Sequence, residues 1–63
     1  MERFINANGR IVDVLDIDMG SLRDNGYSRI EWRSLHSGRI VSISCYNDKE
    51  RKAAFQKILD SAN

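Results

Sequence analysis

The spacing of apolar residues changes at Asn47-Asp48. Upstream, Arg39-Ile40-Val41-Ser42-Ile43-Ser44-Cys45-Tyr46 alternates with period two, as a strand does; downstream, Ala54, Phe55, Ile58, Leu59 and Ala62 recur at helical spacing. Asn47 is a good helix N-cap, and Glu50 stands three residues on, where a capping box needs it. The pattern predicts a C-terminal amphipathic helix whose Phe55, Ile58, Leu59 and Ala62 lie on a sheet, with Lys49, Lys52, Gln56, Lys57 and Asp60 toward water.

Two hairpins precede that helix. Asn8-Gly9 is the pair that best accepts the positive backbone angles of a type I′ turn. Centring the turn there pairs Ala7 with Arg10, Ile5 with Val12 and Arg3 with Val14. Ile5, Val12 and Val14 then share one face, and Phe4, Asn6, Ile11 and Asp13 the other. Apolar groups on both sides predict strands that are central or covered twice, unless a bulge near Asp13 turns Leu15 and Ile17 inward. Residues 18–26, rich in Gly and Asx, read as a loop pinned by Met19 and Leu22. The second hairpin runs Tyr27 to Leu35 and Arg39 to Tyr46 around a Ser37-Gly38 turn, pairing Leu35 with Ile40, Trp32 with Ile43, Ile30 with Cys45 and Arg29 with Tyr46. Ile30, Trp32, Val41, Ile43 and Cys45 fall on its apolar face, opposite Tyr27, Arg29, Glu31, Arg33, Ser42, Ser44 and Tyr46. The expected fold is α+β: one small domain over residues 1–63, a four-stranded antiparallel sheet made of two hairpins and covered by one C-terminal helix.

A chain of 63 residues buries only ~60% of its unfolded surface and gains roughly 3–5 kcal/mol from its core. Its single cysteine excludes an internal disulfide, and one Cys with one His does not make a structural zinc site. Self-association is the natural supplement, so a homodimer is expected. No apolar run at the N-terminus resembles a signal peptide, and none approaches the ~20 residues of a membrane span; with a lone cysteine this reads as cytoplasmic. The net charge of +1 divides into −2 over residues 1–24 and +3 over residues 25–63, short of the basic footprint of a typical nucleic-acid binder.

Catalytic chemistry finds little to use. His36 and Cys45 are the only candidate base and thiol nucleophile; the predicted register separates them by about 20 Å, and Cys45 faces the core. Asp13, Asp16 and Asp18 lack the glycine and terminal glutamate of a calcium loop and read as solvated charges that end a strand. The sequence therefore predicts neither an enzyme nor a bound cofactor or metal.

The side of the second hairpin carrying Tyr27, Arg29, Arg33 and Tyr46, with His36 and Arg39 near its tip, is the candidate binding surface. Arginine beside tyrosine anchors protein interfaces and stacks on bases. A solvated face with cross-strand cation–π contacts accounts for the pattern about as well as a protein surface or dimer seam does. Nucleic acid comes third, because Glu31 opposes the charge a phosphate track would use.

Two stretches, Asn8-Gly9-Arg10-Ile11-Val12 and Ile43-Ser44-Cys45-Tyr46-Asn47-Asp48-Lys49-Glu50 with its helix ending Phe55-Gln56-Lys57-Ile58-Leu59, resemble a pattern common in short bacterial and phage proteins of unknown function. The acidic segment Asp16-Ile17-Asp18 departs from that pattern. The resemblance implies a small regulatory module that binds a host protein and has no catalytic residues to carry over. The expected partners are a second copy and another protein, with nucleic acid the alternative and no membrane.

Overall fold

Apolar alternation and turn chemistry build two antiparallel sheets rather than one. The computed structural model describes residues 2–62. In it, β1 (Phe4–Ala7) and β2 (Arg10–Asp13) form a hairpin, a 3₁₀ turn spans Val14–Asp16, and β3 (Ile17–Asp24), β4 (Arg29–Ser34) and β5 (Ile40–Ser44) form a meander that runs into α1 (Asp48–Ala62). The α+β class and the C-terminal helix agree with the sequence reading; the four-stranded sheet becomes a two-stranded and a three-stranded one, order β1-β2 and β3-β4-β5.

The first hairpin has the expected register, with Ala7 opposite Arg10 and Ile5 opposite Val12. Asn8 and Gly9 both hold positive φ, 54° and 85°, as a type I′ turn requires. Its inner face, Ile5, Ala7 and Val12, is buried with Val14. Its outer face is open: Phe4 is 57% and Ile11 66% exposed, so these strands are neither central nor covered twice. The turn after β2 points Ile17 inward and leaves Leu15 out. Asp13 caps that turn by accepting the Leu15 N–H at 3.1 Å.

The segment read as a loop over 18–26 is mostly strand. β3 pairs with β4 through Ile17↔Ser34 and Asp18↔Arg33, then resumes at Arg23↔Glu31 and Asp24↔Ile30, so residues 19–22 stand against Trp32 alone as a wide bulge. The Ser21 hydroxyl bridges the gap, donating to the Asp18 carbonyl at 2.7 Å and accepting the Arg33 N–H at 2.7 Å. Leu22 packs on the core, while Met19 stays exposed. The true loop is Asn25 to Ser28, where the Asn25 Oδ1 collects the N–H groups of Tyr27, Ser28 and Arg29.

β4 and β5 pair two residues away from the predicted register, with Trp32 opposite Val41, Ile30 opposite Ile43 and Arg29 opposite Ser44. The turn is Leu35 to Gly38, closed by Ser34 N–H to Arg39 O at 2.8 Å and Gly38 N–H to Ser34 O at 2.9 Å, with Gly38 at φ 73°. A shift of two keeps every side chain on its face, so Ile30, Trp32, Ile43 and Cys45 are buried as expected.

The β1–β2 hairpin and α1 together cover the inner face of the three-stranded sheet, and Ile30 and Ile58 belong to one core cluster with no exposed surface. Asn47 caps α1 by accepting the Glu50 N–H at 2.9 Å, while the Glu50 carboxylate reaches back to the Tyr46 N–H, one residue earlier than a standard box. Ala54 and Ile58 are buried; Phe55, Leu59 and Ala62 are half-buried. Arg51, which the helical stripe omitted, is buried too. Its Nη1 donates to the Tyr27 carbonyl at 2.9 Å and to Asp48 at 2.6 Å, and its Nε lies 2.7 Å from Asp24 as an ion pair without a hydrogen-bonding angle.

Replacing Arg51 with Met leaves Asp24 and the Tyr27 carbonyl without their cation, and the thermal midpoint should fall by roughly 10 °C, as read by circular dichroism. Ser21→Ala opens the bulge by removing one donor and one acceptor at once. Denaturant titration should show a loss of about 1–2 kcal/mol.

Candidate functional site

Strand alternation puts Arg29, Glu31 and Arg33 of β4 on the sheet face that neither α1 nor the β1–β2 hairpin covers. Opposite them on β5 stand Ser44, Ser42 and Ile40, the last 58% exposed. On the β3 side, Arg23 faces Glu31 and pairs with it at 3.7 Å, which neutralises the one carboxylate between the two arginines of β4. Arg29 and Arg33 are exposed and have no ion pair among the described residues. Beside Arg33, the bulge leaves a cavity of ≈ 290 Å³ lined by Leu22, Trp32, Arg33 and Ile40 among others.

The sequence-predicted site residues divide into three groups on this frame. Arg29 and Arg33 stand on β4 at either side of Glu31 on the outer face. Tyr27 and Tyr46 are not strand residues; they flank the Cys45 N–H to Ser28 O bond (2.7 Å) that closes one end of the β4–β5 pair, and are 75% and 93% exposed. His36 and Arg39 stand at the other end, within and beside the 35–38 turn respectively. His36 therefore lies at the far end of the strand pair from buried Cys45, where burial, with the Glu50 charge, pushes the thiol pKa up. An inert core thiol results, not a nucleophile. Among the described residues no His, Cys, Asp and Glu cluster has the geometry to hold a metal ion.

A second concave surface was not foreseen. An open cleft of ≈ 480 Å³ runs between the end of the first hairpin and the 35–38 turn, lined by Arg3, Asp13, Leu15, Asp16, Leu35 and His36. Two carboxylates build it. Asp13 takes a bidentate pair of bonds from Arg3, each 3.0 Å. Asp16 accepts the Ser34 hydroxyl at 2.6 Å and the His36 N–H at 2.8 Å, while its carbonyl takes the Leu35 N–H at 2.8 Å. Solvated charges ending a strand would make no such set of bonds; both aspartates are structural. The only sequence trace of this cleft was the acidic run itself, because its partners lie 10 and 18 residues away.

These bonds hold three carboxyls below their ordinary range. The Arg3 hydrogen bond lowers Asp13, the Ser34 hydroxyl and then the His36 N–H lower Asp16, and the Gly26 N–H followed by Arg51 lowers Asp24. Each binds its proton more weakly folded than unfolded, so their stabilisation is complete above the unfolded value near ~4 and is lost as pH falls through the native values. Urea midpoints should therefore drop between about pH 6 and about pH 3. Asp16→Asn should lower the neutral-pH midpoint and flatten the pH dependence.

Comparison of this chain with protein-family models, with curated proteins and with solved structures finds no match to any of them.

Proposed function

We propose that this chain is a non-enzymatic binding module that recognises another protein through the outer face of the three-stranded sheet. Arg29 and Arg33 are its charged anchors, with Tyr27 and Tyr46 at one end and His36 and Arg39 at the other. The observation that carries this reading is the state of the charges. Arg3, Arg23 and Arg51 each have an internal carboxylate, whereas Arg29 and Arg33 stand exposed, Arg33 opposite Ile40, and have no ion pair among the described residues. Exposed arginine and aromatic groups are the residue types that concentrate binding energy at protein interfaces. The surface is a pleated face, and both sheet edges beside it are obstructed: β5 by side chains from the first hairpin, β3 by its bulge. That favours recognition by side chains over strand addition. Binding to a host protein is also what the resemblance to short bacterial and phage proteins implies.

The test is affinity capture from a nuclease-treated lysate with the wild-type protein and with R29E/R33E, identified by mass spectrometry at low salt and at about 0.5 M salt. We expect a protein retained by the wild type at both salt levels and lost from the variant. Identical capture by both, or material released by nuclease or by salt, would overturn the reading and turn attention to nucleic acid.

A further inference from the structure

The outer face of the three-stranded sheet carries its charge in a fixed order along β4. Arg29, Glu31 and Arg33 are alternate residues of one strand, so their side chains leave the same face, and the two arginines stand about 13 Å apart along it. The carboxylates beside them are already committed. Glu31 pairs with Arg23 at 3.7 Å, and Asp18, opposite Arg33 on β3, turns its Oδ1 to the Gly20 N–H at 3.2 Å. Arg29 and Arg33 are exposed, with no ion pair among the described residues, one on each side of the neutral Arg23–Glu31 pair. At the level of that pair the bulge opens the ≈ 290 Å³ cavity, whose lining runs along β4 from Glu31 to Arg33 and has Leu22, Trp32 and Ile40 as apolar walls. The Ser21 hydroxyl fixes its rim through the Asp18 carbonyl and the Arg33 N–H, each at 2.7 Å, so the cavity is prearranged.

Resting on the protein-binding reading above, we infer that the partner offers an acidic segment of the form acid-x-aliphatic-x-acid, laid extended along β4. An extended chain advances by the same ~3.3 Å per residue as the strand beneath it, and every second side chain points the same way. Carboxylates at its first and fifth positions therefore come over Arg29 and Arg33 together, where each accepts a forked pair of guanidinium hydrogen bonds. The third position falls over the Arg23–Glu31 pair and the mouth of the cavity. An aliphatic side chain there meets the apolar walls and sets no charge beside Glu31. A third carboxylate at that point would face Glu31 across a short distance. For the same reason this order of charges disfavours a nucleic-acid strand, whose charge recurs at every step and is not interrupted at the level of Glu31.

Fluorescence anisotropy with labelled peptides and the purified protein measures this preference. The probe is Ser-Glu-Thr-Leu-Thr-Glu-Ser. Its relatives carry Gln for both Glu, Lys for both Glu, or Asp for Leu, and oligothymidylate serves as the unpatterned polyanion. The wild type should bind the probe with a dissociation constant below about 1 mM, and the Gln and Asp relatives ~10-fold or more weakly. R29E/R33E, checked for folding by circular dichroism, should lose the probe and take up the Lys relative instead, a reversal that a damaged protein would not show. Should that variant not fold, the peptide series on the wild type decides. No binding of the probe at about 1 mM, equal binding of its Gln relative, or undiminished binding when Asp replaces Leu would overturn the inference. If lysate capture still yields a protein that depends on Arg29 and Arg33, such a failure sinks the acidic segment alone. Binding of oligothymidylate that exceeds that of the probe and is lost in R29E/R33E would overturn the protein-binding reading with it.

Discussion

One buried guanidinium ties the layers of this protein together. Arg51 sits on α1, yet it forms an ion pair with Asp24 at the end of β3, donates to the Tyr27 carbonyl in the β3–β4 loop, and donates to Asp48 of its own helix. A buried cation is stable only while its charge is paired, so the loop, the strand end and the first turn of the helix must adopt their places together. The orientation of α1 on the inner face follows, and with it the burial of Ile58 in the same core as Ile30. The consequence for function is indirect but firm: with helix and first hairpin both committed to one side of the β3-β4-β5 sheet, the other side is left open.

Open sheets invite edge pairing, and this one blocks both edges with side chains. On β5, Asn8 and Arg10 donate to the outward carbonyls of Ser44 and Ser42 at 3.1 and 3.4 Å, so the hairpin closes that edge without adding a strand to it. On β3, the bulge interrupts the run of backbone groups, and the Asp18 carboxylate takes the Gly20 N–H for itself. What remains accessible is side-chain chemistry on two faces: Arg29, and Arg33 opposite Ile40, on the three-stranded sheet, and Phe4, Leu15 and Leu35 near the Arg3–Asp13 pair. The two surfaces differ in character, one basic and one apolar with its charges internally paired.

Much of this was legible one residue at a time. The Asn-Gly turn specifies the first register because few other pairs tolerate two successive positive φ values. Asn47 and Glu50 announce α1, and strand alternation alone places Arg29 and Arg33 opposite the core residues Ile30 and Trp32. The candidate face was therefore visible in part. Its outline was not: Tyr27 and Tyr46 leave the strands at one end because β4 begins at Arg29 and β5 stops at Ser44. The cleft was invisible, since it is made of contacts between the first 16 residues and the 34–36 segment.

Local periodicity and capping by themselves determined the class of fold, the existence of both hairpins, the helix and the inward set Ile30, Trp32, Ile43, Cys45 and Ile58, because each depends on which side of its own backbone a residue occupies. Tertiary structure decided what period cannot encode. A two-residue slip between β4 and β5 leaves every face unchanged, so hydrophobic sorting is blind to it, and the choice fell to Asp16, which seizes the Ser34 hydroxyl and the Leu35 and His36 amides and holds the longer turn. Likewise, nothing in a helical wheel marks Arg51 as buried; only the arrival of Asp24 and the Tyr27 carbonyl from distant strands makes that position stable for a charge.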